Sequence, residues 1–169
     1  MSRRLSILIV AAALLTPAVA SAQQTVIFVR HGERADGGAG MASPTGAPAD
    51  PDLSDAGKAR AEKPVMMLSD ANIAAIYVTE FKRTQQTAAP LAAKLHLGPR
   101  TIPGKDAAAF VSRAKADQPK GVVLIVGHSN TLPPIIKAFG GPVMKIADDD
   151  YNAIYVLSPA TGALTVIRY

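Results

Sequence analysis

The sequence contains no cysteine and no tryptophan, and its aromatic residues amount to only 5%. Without cysteine there is no disulfide, no thiolate metal site and no thiol nucleophile. An oxidising compartment stays open to the chain, since absence of cysteine is compatible with any redox state. Charged residues are scarce at 18% against 49% hydrophobic, which excludes a disordered chain and supplies enough apolar mass for a core. A length of 169 residues suits one domain, or one domain and a removable segment.

The first residues read as that removable segment. Arg3 and Arg4 precede an apolar run, Leu5 to Leu15, that falls short of the roughly 20 residues a bilayer-spanning helix needs. Thr16 and Pro17 break the run, and Ala20-Ser21-Ala22 has the small-residue pattern of a signal-peptidase site. A signal peptide over 1–22 is therefore expected, with the folded domain over 23–169 in the periplasm or secreted. An uncleaved anchor is the competing reading. Losing Arg3 and Arg4 lowers the net charge from +5 to +3, mild enough to suit an anionic substrate. No basic run interleaved with aromatics is present, so nucleic acid is not an expected partner. Nor is a membrane, once the signal is removed.

Strand and helix signals alternate along the rest. Thr25 to Arg30 is a β-branched, apolar run that predicts a buried strand. Residues 35–51, rich in Gly, Pro, Ala and Asp, predict a loop. Ser54 or Asp55 opens a helix, with a break expected at Pro64. Ile73 to Val78 predicts a second strand. Thr79 is a candidate cap for a helix over about 81–95, kinked at Pro90. Thr101 and Ile102 suggest a short strand, and Asp106 to Ala116 a helix. Gly121 to Val126 reads as the clearest buried strand, followed by a short helix from Thr131 to Phe139. Asn152 to Leu157 and Ala163 to Arg168 form a hairpin pattern around Ser158–Gly162. The whole predicts a three-layer α/β/α sandwich with a mostly parallel sheet and an antiparallel C-terminal edge.

Open α/β sheets build sites at the carboxyl ends of their strands. Three strands here run into suggestive residues: Arg30-His31-Gly32-Glu33-Arg34, Thr79-Glu80-Phe81-Lys82-Arg83, and Gly127-His128-Ser129-Asn130. As parallel neighbours they would gather two histidines and at least two arginines. Such a set suits phosphoryl chemistry. Arginine forks bind nonbridging oxygens in bidentate fashion and keep their charge at any working pH. A neutral imidazole nitrogen can attack phosphorus, and a second can donate hydrogen bonds to the developing charge. An acid is also needed to protonate the leaving alkoxide.

These residues resemble the signature of the histidine phosphatase superfamily, the phosphoglycerate mutase-like fold, in its small first branch. Val29-Arg30-His31-Gly32-Glu33 is similar to its first motif. Leu53-Ser54-Asp55-Ala56-Gly57 is similar to the segment that opens its first helix. Lys82-Arg83-Thr84-Gln85-Gln86-Thr87 resembles the segment carrying the second arginine, and Gly127-His128-Ser129 that carrying the second histidine. The four stand in the family's order across nearly all of the chain after residue 22. The resemblance implies that His31 is the phosphorylated nucleophile, and that Arg30, Arg83 and His128 complete the phosphate pocket. It implies no metal and no organic cofactor.

Two departures accompany it. The segment before the second arginine reads Thr79-Glu80-Phe81, where the family often has serine and proline. The general acid, in the family a carboxylate inserted after that arginine, has only Asp106 at a matching place, with Glu80 and Glu33 as other candidates. The short stretch from 97 to 106 argues against a large cap and leaves substrate choice loose or set by the 35–51 loop. His96, beside Lys94 at a helix end, reads as structural. Asp148-Asp149-Asp150 lacks the spacing of a calcium loop and reads as a solvated turn.

The expected activity is hydrolysis of a small phosphomonoester through phosphohistidine. Alternatives are a phosphoprotein (phosphohistidine) phosphatase and an envelope-sugar phosphatase. The contrasting class is a phosphate-binding protein with little turnover. The oligomeric state is open.

Overall fold

Period-two alternation of apolar side chains places two packed faces on one sheet, and the chain wraps helices over both. The computed structural model describes residues 24–37, 50–118 and 120–169. The expected signal segment and most of the 35–51 loop lie outside them. In chain order the elements are β1 (Thr25–Arg30), α1 (Asp55–Ala61), α2 (Lys63–Leu68), β2 (Ile73–Val78), α3 (Lys82–Leu95), β3 (Arg100–Thr101), α4 (Ala107–Asp117), β4 (Val122–Gly127), α5 (Leu132–Ala138), β5 (Ala153–Ser158) and β6 (Ala163–Arg168).

The sheet order is β3-β2-β4-β1-β5-β6. The β1–β4, β2–β4 and β2–β3 pairings are parallel, and the β1–β5 and β5–β6 pairings are antiparallel. The mostly parallel sandwich with an antiparallel C-terminal edge is therefore what forms. Val26, Phe28, Ala75, Tyr77, Val123 and Ile125 face α4 and α5, meeting Phe110, Ala114, Leu132, Ile135 and Ile136. Their alternate neighbours Ile27, Val29, Ile76, Val78, Leu124 and Val126 meet Leu68 of α2 and Ala88, Leu91 and Ala92 of α3. Each large side chain so buried contributes roughly 1.5–3 kcal/mol.

Local chemistry sets the helix ends. Ser54 caps α1, its hydroxyl accepting from the Gly57 N–H at 3.1 Å. The break expected near Pro64 appears as two short helices meeting at Glu62, with the proline in the first turn of α2 where its missing N–H costs nothing. Pro90 behaves differently: α3 runs through it to Leu95 without a break. Thr79 does not cap α3. The helix starts after Phe81, and the Thr79 hydroxyl is buried against that of Thr84 at 3.0 Å. His96 ends the helix in left-handed conformation, φ 55°, exposed and away from the strand ends that concern us. Gly162, φ 71°, closes the turn between β5 and β6. Among the described residues no helix is long and apolar enough to cross a membrane.

Parallel pairing brings the ends of β1, β4 and β2 to one edge. Arg30 is in register with Gly127, and Val126 with Val78. The residues that follow these strands must therefore meet.

Candidate active site

His31 leaves β1 with its N–H donating to the Gly127 carbonyl at 2.9 Å, and His128 leaves β4 one residue later. The two imidazoles lie 5.0 Å apart between centroids, inclined at 64°. Arg30 ends β1 and Arg83 stands in the first turn of α3. These four side chains, predicted from three separate segments, are each no more than 8% exposed. They share the wall of one cavity of about 370 Å³.

Hydrogen bonds assign the imidazole protons. His31 Nδ1 lies 2.6 Å from the Gly32 carbonyl, which can only accept, so Nδ1 carries the proton and Nε2 keeps its lone pair. For His128 the partner is Thr131, whose hydroxyl accepts from the His128 backbone N–H at 3.0 Å and lies 3.3 Å from Nδ1. The Thr131 hydroxyl can donate to Nδ1, a tautomer that puts the ring proton on Nε2. In that tautomer one histidine presents a lone pair and the other a donor. Burial holds both rings neutral. It lowers the His31 pKa from 6.5 to about 4, with Arg83, Arg30 and Arg34 adding to the effect and the Gly32 carbonyl opposing it. The His128 pKa is driven further down, first by burial and then by Arg83, His31 and Arg30.

Aromatic rings back the cations. The Arg30 guanidinium lies 3.9 Å over the Tyr151 ring and that of Arg83 4.2 Å over Phe81. Tyr151 also stands edge-on to His31 at 6.1 Å, and Phe81 to His128 at 5.2 Å. Arg30 Nη1 donates to the carbonyls of Ala147 and Asp150, at 2.9 and 3.2 Å. Among the described residues, Arg30 Nε, Arg83 Nε, Arg83 Nη1 and His128 Nε2 are buried with no hydrogen-bond acceptor. Leaving a buried donor unsatisfied costs about 1–3 kcal/mol, more for a charged one. Four such donors in one cavity are complementary to an anion with several acceptor oxygens. Burial lowers the Arg83 pKa, with Arg34 next in effect, but a guanidinium stays charged at any working pH.

A tight backbone contact holds the His31 loop in place. Gly32 N–H donates to Thr87 Oγ1 at 2.9 Å, and that hydroxyl donates to the Arg83 carbonyl at 2.7 Å, tying the His31 loop to α3. A β-carbon on Gly32 would lie 2.6 Å from the Gly57 carbonyl oxygen, and one on Gly57 would lie 2.3 Å from that of Glu33. The two glycines therefore let α1 press directly on the loop.

The candidate acids are placed differently. Asp106 does not reach the cavity wall: it is exposed and caps α4, accepting from Ala109 N–H at 2.8 Å. Its position three residues before an uncapped N–H makes capping its local use. Glu33 is gripped by Arg60 through bonds of 2.5, 2.8 and 2.9 Å, and the Arg60 hydrogen bonds hold its carboxyl below the usual range. Glu80 accepts from Gly104 N–H at 2.8 Å and is exposed. Arg34 and Tyr151, not singled out from the sequence, also line the cavity, beside Ser129, Asn130 and Asp148, the last read from sequence as part of a solvated turn. Arg34, forked onto Asp36 at 2.9 and 2.5 Å, had a signal in its place four residues after Arg30. Tyr151 and Asp148 had none, because they are brought in by contacts spanning some 120 residues. Among the described residues no three metal-ligating side chains converge.

Comparison with known proteins bears on the family and the fold. The sequence profile of the Histidine phosphatase superfamily (branch 1) matches residues 26–106. PE-PGRS family protein PE_PGRS11 of Mycobacterium tuberculosis is 32% identical over 146 residues, 83% of this chain, but the chain spans only 24% of that protein's length. The structure of mycobacterial glucosyl-3-phosphoglycerate phosphatase with VO3 superposes with a TM-score of 0.64 at 15% identity, covering 86% of this chain and 98% of that one. A mutant phosphoserine phosphatase from Entamoeba histolytica, bound to phosphoserine, has the same TM-score at 13% identity, covering 85% and 95%. At these identities the likeness concerns the fold.

Proposed function

Since the chain belongs to the histidine phosphatase superfamily (branch 1), we propose that it hydrolyses small phosphomonoesters through a phosphohistidine formed on His31. The observation that carries this is the set of four buried donors without a hydrogen-bond acceptor around a histidine whose Nε2 holds a lone pair. Arg83 and Arg30 take the nonbridging oxygens of the phosphoryl group, their charges opposing its own. His128 Nε2 donates to a third oxygen while remaining neutral. His31 Nε2 then attacks phosphorus, and water later displaces the phosphoryl group from it. The Gly32 carbonyl, accepting from His31 Nδ1–H, stabilises the positive charge that the ring gains on bonding phosphorus.

The cavity volume of about 370 Å³ suits a metabolite-sized ester. Fold likeness to phosphatases of glucosyl-3-phosphoglycerate and phosphoserine supports a small phosphorylated substrate of the same kind. We place the activity outside the cytoplasm, on the strength of the 1–22 segment. The test is turnover of a chromogenic aryl phosphate by the purified protein, with His31→Ala as control. The variant should lose at least about 10³-fold, as removal of a nucleophile does, and the parent should yield an acid-labile phosphohistidine on rapid quench. Equal turnover by the two proteins would overturn the proposal.

A further inference from the structure

We infer that Asp148 is the proton donor to the leaving alkoxide, an inference that rests on the phosphomonoesterase reading above. Among the described residues, Asp148 is the one carboxylate in the cavity wall. Ser129, the residue after His128, donates to its Oδ1 at 2.6 Å, which fixes the carboxyl beside the second histidine. Its Oδ2 takes no hydrogen bond among the described residues and is the atom that carries the proton.

The segment bearing Asp148 is held by the phosphate-binding residue itself. Arg30 Nη1 reaches the Ala147 and Asp150 carbonyls, on either side of Asp148, and the guanidinium stacks on Tyr151. The position of the acid is thereby set by the same side chain that grips the phosphoryl group. The other carboxylates have different partners. Asp106 caps α4, and Glu33 is locked to Arg60. Asp50 accepts from Lys82 N–H at 2.9 Å and lies 3.6 Å from Arg83 Nη1. Asp36 is forked onto Arg34. The Arg60 hydrogen bonds hold the Glu33 carboxyl below its usual range, so it stays ionised and cannot donate.

A carboxylate facing bound phosphate would repel it, whereas a carboxyl group donates to the ester oxygen. The step balances as follows. The His31 Nε2 lone pair forms the N–P bond as the ester P–O bond breaks, and the alkoxide takes the Asp148 proton and departs as an alcohol. The Asp148 carboxylate next accepts a proton from water as the water oxygen bonds phosphorus and the N–P bond breaks. Inorganic phosphate leaves, and both His31 and the Asp148 carboxyl are restored.

Leaving-group dependence tests this. Asp148→Asn should still release p-nitrophenol from p-nitrophenyl phosphate in a burst matching the enzyme concentration, because that anion leaves unaided. On an alkyl ester such as glycerol 2-phosphate the same variant should lose about 10²–10⁴-fold in kcat/KM, the usual worth of general acid catalysis. Vanadate should bind the variant at least as tightly as the parent, since a negative charge is gone. Ser129→Ala keeps the carboxyl but frees it, and should show a smaller loss confined to the alkyl ester; it decides the matter where Asp148→Asn does not fold. Equal losses on both esters, or none on the alkyl ester, overturn the role of Asp148. A parent that forms no phosphohistidine overturns the phosphomonoesterase reading instead, so the two failures are distinguishable.

Discussion

Replacing Gly57 with alanine sets two physical effects against each other. In an exposed helix the change gains up to about 1 kcal/mol, because alanine loses less backbone entropy than glycine. Gly57 is the third residue of α1 and is buried. A β-carbon there would lie 2.3 Å from the Glu33 carbonyl oxygen, 2.9 Å from its nitrogen and 3.1 Å from its carbonyl carbon, all backbone atoms that no rotamer change can move. To reach even 3.0 Å, α1 and the loop must part by about 0.7 Å. Overpacking of this kind costs about 1–3 kcal/mol. The movement also strains the Ser54 N–H bond to the Glu33 carbonyl, 2.9 Å, and the Arg60 grip on the Glu33 side chain. The net expectation is a loss of about 1–2 kcal/mol, read as a lower urea midpoint at unchanged slope. Glu33 is two residues from His31, and a shift approaching 1 Å at a reacting atom can cost 10²-fold. Turnover of an aryl phosphate by Gly57→Ala should therefore fall by about 10–100-fold with the fold retained. A variant about 1 kcal/mol more stable than the parent, with unchanged turnover, would refute the reasoning.

Acid should weaken the protein through its buried histidines. The unfolded chain takes a proton on His31 near pH 6.5, whereas the folded one resists until about 4. Stability is therefore complete above the unfolded value, falls as pH drops through the window, and levels off below about 4. The loss from His31 alone is up to about 3 kcal/mol, at 1.36 kcal/mol per pKa unit. Urea midpoints measured across that window should fall for the parent and fall less for His31→Gln, and identical profiles would contradict the account. N-terminal sequencing of protein recovered from outside the cytoplasm should begin at Gln23. Met1 at the start of the exported protein would mean that the first segment is retained.

The inner strands were legible because burial on both faces demands continuous apolar runs, whereas the exposed β6 was legible from the hairpin pattern around Ser158–Gly162. Thr25–Arg30, Ile73–Val78 and Ala163–Arg168 have the bounds that their composition predicts. Helix ends were legible where one side chain decides them, as Ser54 and Asp106 do. They were not at Thr79, because its hydroxyl pairs with Thr84 inside the protein instead of capping α3. Nor does position along the chain show which carboxylates are already engaged. Asp106 and Glu33 have partners, the α4 backbone and Arg60, that spacing along the chain does not reveal.

His31, Arg30, Arg83 and His128 were readable before any coordinates because each follows a strand or opens the helix after one. Parallel strands deliver such residues to one edge whatever their distance in sequence. The triple aspartate carried no such information. Its first member becomes a wall of the cavity because Arg30 gathers the carbonyls of residues 147 and 150 and stacks on Tyr151. Those contacts join segments about 120 residues apart. Local pattern thus sufficed for His31, Arg30, Arg83 and His128, while the placing of Asp148 and the aromatic backing depend on how distant segments pack.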